Sequence, residues 1–170
     1  MKSRRLISAA LSTFVALGLG LALAPAASAA EFTITDPTGD TTARGLDIVS
    51  GVLDNDDYVM SGIISFRADR NGTLIVGLKA RNRGLMRIVS NHRSGGAGGI
   101  RLIDNRGQRV DCDAMSIDWD TSAATATFTI SSSCLWRGNF GGIRPWYLVE
   151  ALNSGNDVDY ATTRTFVSRG

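Results

Sequence analysis

Histidine, cysteine and glutamate are scarce in this sequence, and each shortage removes a class of function. One histidine and two cysteines cannot supply the paired Cys/His spacings of a structural zinc site. A serine hydrolase needs a nucleophile beside its base and an acid to orient that base, and no Gly-x-Ser-x-Gly elbow occurs. The only histidine, His92, lies in Ser90-Asn91-His92-Arg93-Ser94 next to a glycine run, where it reads as an exposed loop residue. Glu31 and Glu150 are the only glutamates, which leaves the facing carboxylate pair of a glycosidase without support. Asp111, Asp113, Asp118 and Asp120 fall along one hairpin, where the outer face of a strand explains them. No run of ten or more residues keeps a helical period. The expectation is a protein that is not an enzyme and has no helical core.

What is abundant comes first at the N-terminus. Lys2, Arg4 and Arg5 precede an uncharged stretch from Leu6 to Ala24, broken by Pro25 and followed by Ala26-Ala27-Ser28-Ala29-Ala30. A basic head, an apolar middle and an Ala-x-Ala end form a secretory signal, with cleavage expected after Ala29 or one residue later. A membrane anchor is the competing reading, since the stretch just reaches bilayer length. Ser8, Ser12, Thr13, Gly18 and Gly20 dilute it, however, and no basic stop-transfer cluster follows. Residues 1–29 are therefore read as the signal and 30–170 as one domain that is secreted.

Removing Lys2, Arg4 and Arg5 from 18 basic residues leaves 15 against 16 acidic ones. A formal charge of −1 offers no support for nucleic acid or an anionic membrane as partner. Lys79 is the single lysine left, which a GC-rich coding bias explains. Two cysteines in a chain bound for an oxidising exterior read as one disulfide.

The mature chain repeats with period two. Leu74, Val76, Leu78 and Ala80 alternate with polar or small neighbours, as do Ala126, Phe128 and Ile130 with Thr125, Thr127 and Thr129, and Ile64 and Phe66 with Ser65 and Arg67. Each reads as a strand with one buried face. The expected strands are 32–35, 46–53, 58–68, 73–80, 85–90, 100–104, 109–119, 125–130, 143–151 and 163–167. Turn formers separate them: Asp36-Pro37-Thr38-Gly39-Asp40, Asp54-Asn55-Asp56-Asp57, Asp69-Arg70-Asn71-Gly72 and Asn105-Arg106-Gly107. Ser94-Gly95-Gly96-Ala97-Gly98-Gly99 reads as a mobile loop. About ten short strands predict an all-β fold, an antiparallel β-sandwich.

One hairpin is specified in detail. Pairing Trp119 with Ala126, Ile117 with Phe128 and Met115 with Ile130 puts six apolar side chains on one face and leaves Thr121-Ser122-Ala123-Ala124 as a four-residue loop. Continued outward, this register brings Cys112 and Cys134 within one position of each other, a gap that one bulge closes. Near Asp113-Ala114 the apolar phase switches from even to odd, which predicts such an irregularity.

Two kinds of site remain. Asp36, Asp40 and Asp47 bracket a glycine-containing turn, and Asp54, Asp56 and Asp57 share the next. Hard oxygen ligands on turns suit calcium, though the spacing is not that of an EF-hand; turn initiation by Asp is the alternative. Exposed Trp and Tyr faces stack on sugars. Trp136 lies in a loop-like stretch after Cys134, and Trp146 or Tyr147 must face outward from the next strand, so these three are the candidate ligand-binding residues. Trp119 sits in the buried phase and reads as core.

Asp36-Pro37-Thr38-Gly39-Asp40, the strand opening at Leu46-Asp47-Ile48 and the closing Ser133-Cys134-Leu135 resemble a pattern of small secreted actinobacterial β-sandwich proteins. That group is similar to the DOMON and family 9 carbohydrate-binding-module sandwiches. The resemblance implies a secreted sandwich in which early acidic residues help to hold calcium. No Met/His pair stands out for the haem found in some DOMON relatives. The function expected is a non-catalytic extracellular module that binds a polysaccharide or a secreted protein partner, with no membrane contact after cleavage. A small secreted hydrolase or a protease inhibitor, entered at Arg137, is the alternative.

Overall fold

The alternating segments become eleven strands in the computed structural model, which describes residues 30–41, 45–93, 96–152 and 158–170. The signal reading of residues 1–29 lies outside them. The strands are β1 (Ala30–Thr35), β2 (Ile48–Asn55), β3 (Val59–Phe66), β4 (Gly72–Ala80), β5 (Leu85–Arg93), β6 (Gly96–Ile103), β7 (Arg109–Val110), β8 (Met115–Asp120), β9 (Thr125–Ser131), β10 (Ile143–Glu150) and β11 (Val158–Thr162). Among the described residues there is no α-helix, only two 3-10 turns, Ser132–Cys134 and Trp136–Gly138. No helix there is long and apolar enough to cross a membrane.

Two antiparallel sheets pack as a sandwich, one ordered β1-β2-β3-β9-β8 and the other β11-β10-β4-β5-β6-β7. Period two sends alternate side chains inward from both. Leu53, Met60, Ile64, Phe128 and Ile130 of the first sheet meet Leu74, Val76, Leu78, Ile88, Leu102 and Tyr147 of the second in one core. Tyr147 crosses the gap so closely that a Cβ on Gly51 would stand 2.0 Å from its ring. Only glycine fits at that point of β2.

The hairpin pairs Met115 with Ile130, Ile117 with Phe128 and Trp119 with Ala126. Asp120 organises its loop. Its Oδ1 accepts bonds from the Ser122 hydroxyl and from the amides of Ser122 and Ala123, and the Ser122 hydroxyl contributes most to holding its carboxyl below the usual range. Ala124 closes the turn with φ 51°. Cys112 and Cys134 are bonded, their Cα atoms 5.6 Å apart.

The structure corrects four readings. The segment 109–119 is not one strand: at the phase change it leaves the second sheet after β7 and enters the first as β8, so the disulfide fastens the place where the chain changes sheets. Residues 163–167 form no strand, and only Val167 bridges to Ile143; the edge strand is β11. The glycine run is not a loop throughout, because β6 begins at Gly96. It lies across from an irregularity between Ser90 and His92, and a Cβ on Gly98 would come within 1.9 Å of the Asn91 carbonyl oxygen. Bare backbone is needed for that approach. His92 is not an exposed loop residue: it lies on β5 and is 2 % exposed.

Candidate functional site

The edges β1/β2 and β11 meet on one side of the sandwich, and aspartates gather there. Asp36 follows β1, its amide bonding the Val49 carbonyl at 3.0 Å. The turn after it reverses at Gly39, whose φ of 85° suits glycine. Asp40 stands exposed at the end of that turn. Asp159 belongs to β11, in the inward phase that it shares with Ala161. It is 4 % exposed; its Oδ2 accepts the Ile48 amide at 2.6 Å and its Oδ1 the Tyr160 amide at 2.7 Å. The first of these bonds ties one sheet to the other.

Asp36, Asp40 and Asp159 each present one carboxylate oxygen, and the three oxygens lie within 4.8 Å of one another. Asp36 Oδ2 is buried with no donor. Burial first, then the nearby Asp159 and Asp40 carboxylates, a hydrogen bond with Asp159 and finally Asp47 push the Asp36 carboxyl up to about 7. Like charges are held together here, and among the described residues no ion pair joins Asp36, Asp40 or Asp159 to a cation.

Asp47, grouped with Asp36 and Asp40 from the sequence, is placed differently. Its two oxygens accept the Gly39 amide at 3.0 and 3.3 Å, and Arg67 approaches one of them at 3.7 Å. Asp47 builds the turn, while Asp159 stands in the position foreseen for it. Sequence reasoning missed Asp159 because the strand carrying it was not identified. The available signal was an acid in the buried phase of Val158-Asp159-Tyr160-Ala161. The second acidic turn does not gather: Asp56 accepts the Tyr58 amide, and Asp57 pairs with Arg169 at 3.1 Å.

His92 belongs to a second constellation. Its Nε2 lies 2.5 Å from Asp69 Oδ1, and its ring stacks on Trp119 with centroids 4.2 Å apart. Trp119 stacks in turn on Phe66 at 5.6 Å, and its indole N–H reaches Ser90 Oγ at 3.4 Å. Nδ1 of His92 is buried without a partner. An acid, a base and a hydroxyl thus lie near one another, but Trp119 covers the imidazole, so the group reads as packing between the sheets.

The three candidate aromatics separate. Tyr147 is fully buried, its hydroxyl has no partner, and burial raises its pKa; it is core, as the alternation of β10 requires. Trp146, in the opposite phase, faces outward, and its ring lies over Gly77, where a Cβ would stand 1.8 Å away. Tyr160 packs beside it, centroids 5.8 Å apart. Trp136 is half-buried against Phe140 at 5.7 Å, in a turn where Trp136, Arg137 and Gly138 all take positive φ.

No family model matches this chain, and no match to it was found among curated proteins or solved structures.

Proposed function

We propose that this chain is a secreted, non-catalytic β-sandwich module whose open edge is closed by a divalent cation, calcium in an extracellular setting. One observation carries the reading: three carboxylate oxygens, from the turn after β1 and from β11, lie within 4.8 Å of one another. Oxygens about 2.4 Å from a common calcium are at most about 4.8 Å apart. Calcium accepts a loose set of hard oxygen ligands completed by water, and a turn beside a strand edge supplies such a set. The ion would offset the repulsion recorded in the raised Asp36 carboxyl and would join the two sheets where Asp159 already holds Ile48. The disulfide is compatible with export.

The readings from other classes find less support. His92 is covered rather than set in a cleft, which disfavours a hydrolase built on it. A protease receives an inhibitor segment as an added extended strand, whereas Arg137 has φ 59° and ψ 37°.

Calorimetric titration of calcium into the exported protein tests the proposal. One ion per chain is expected, lost in Asp36→Asn and retained in Asp56→Asn. Binding unchanged by Asp36→Asn would overturn the assignment.

A further inference from the structure

A formal charge near zero conceals a sharp separation of charge between the sheets. The strands β1, β2, β3, β8 and β9 contain no Lys or Arg. The other sheet carries Lys79, Arg87, Arg93, Arg101, Arg109 and Arg144. Alternation fixes where they point. Lys79 sits between buried Leu78 and Ala80, Arg87 between Met86 and Ile88, and Arg144 beside Ile143, so all three face outward. Arg101 and Arg109 share that face through the pairs Val89–Arg101 and Ile103–Arg109. Glu150 is the only acid in the outward phase of this sheet's strands, since Asp159 turns inward to the carboxylate cluster. Among the described residues three ion pairs form, and none involves these six cations.

The cations are densest at one place. Lys79 and Arg144 stand directly opposite each other on adjacent strands, an arrangement that like charges disfavour. Arg144 and Arg81 both lie over the Phe166 ring, at 5.5 and 5.2 Å. Beside them Lys79, Arg144 and Arg164, with Trp146, Tyr160 and two threonines, line a groove of about 360 Å³ that has no acid among its described lining residues. One indole face of Trp146 rests on Gly77, and Trp146 also lines the groove. Tyr160 is 49 % exposed.

We infer that this outer face docks a linear extracellular polysaccharide bearing a carboxylate on each repeat, its sugar rings on the Trp146–Tyr160 pair and its carboxylates on the Lys79–Arg144–Arg164 cations. The anion would relieve the repulsion between Lys79 and Arg144, and the aromatic pair would pack the uncharged part of each repeat. Cations along Arg87, Arg101 and Arg109 continue the track across the sheet. A second copy of the chain is the poorer fit. Acids on the opposite sheet stand only on its flanks, at Glu31, Asp54, Asp118 and Asp120, while the central strands β3 and β9 carry no charge.

The inference rests on the reading of the chain as a binding module but uses a face separate from the carboxylate cluster, so binding is measured both in calcium and in EDTA. Affinity electrophoresis of the exported protein through polygalacturonate, poly(glycerol phosphate), neutral dextran and duplex DNA is the test. Polygalacturonate carries its charge on a sugar ring, and poly(glycerol phosphate) carries charge without a ring. Retardation is expected with polygalacturonate, in both calcium and EDTA, lost at about 0.5 M salt. It should weaken by about tenfold or more in Lys79→Gln/Arg144→Gln, whose unfolding midpoint should equal or exceed that of the wild type because two like charges are gone. Tyr160→Ala, at a half-exposed position, should weaken it while the domain stays folded. Retardation matched by dextran, by poly(glycerol phosphate) or by DNA, none with polygalacturonate, wild-type binding in the double variant, or association of the protein only with itself would overturn the inference. Failure of calcium titration with polymer binding intact would count against the cation site alone.

Discussion

Replacing Cys112 and Cys134 together with alanine should lower stability by about 3 kcal/mol at 25 °C. The bond spans 22 residues, and in the chain-entropy relation a closed loop of that size restrains the unfolded chain by about 11 cal/mol/K, or about 3 kcal/mol. For a domain of roughly 140 residues each kcal/mol moves the midpoint by roughly 3 °C, so a fall of roughly 10 °C is expected. The fold itself should persist, because the six facing apolar residues of the β8/β9 hairpin set its register without the bond. Thermal melting followed by circular dichroism reads both quantities, the midpoint and the spectrum before melting. An unchanged midpoint would refute the assignment of the bond's effect to the unfolded chain. A variant already unfolded at 25 °C would show that the crossing from β7 to β8 needs the bond to form at all.

Two further perturbations probe the core and the cluster. Tyr147→Phe removes a buried hydroxyl that has no partner and keeps the ring that fills the space above Gly51; stability to urea should rise, by about 1 kcal/mol, and a fall of that size would mean that the hydroxyl is bonded in solution. In EDTA, stability should decline as pH rises from about 4 to about 7, because the folded chain holds the Asp36 proton to about 7 and the unfolded chain releases it near 3.8, so the folded state binds more protons across that window. The trend is opposite to that of an ordinary paired carboxylate. Denaturation at several pH values with Asp36→Asn as reference isolates it, and parallel curves for the two proteins would contradict the raised value.

The sandwich was legible because alternation records burial directly: Leu74 to Ala80 and Ala126 to Ile130 each show one face to the core. The hairpin register was legible for the same reason, since a slip of one residue between β8 and β9 would expose every apolar side chain of the pair. What local pattern does not contain is which elements share an edge. Asp47 looked like a partner of Asp36 from its nearness in sequence, whereas its carboxylate is occupied by the Gly39 amide and Arg67, and the third carboxylate comes from Asp159, more than a hundred residues later. His92 looked exposed because glycines follow it. Gly98 instead lets β6 approach the Asn91 backbone, and the imidazole stacks on Trp119 inside the sandwich. The charge separation was hidden by the near balance of 18 cations against 16 acids, which reports a sum and carries no information about faces.

The most direct test of the cation site is the unfolding midpoint of the purified protein near neutral pH, measured in millimolar calcium and in EDTA. An ion bound only to the folded chain at a hundredfold excess over its dissociation constant adds about 2.7 kcal/mol, a rise of roughly 8 °C for a domain of this size. That rise should vanish in Asp36→Asn. Identical midpoints for the wild type in calcium and in EDTA would contradict the account and leave Asp36, Asp40 and Asp159 as residues that shape a turn and an edge.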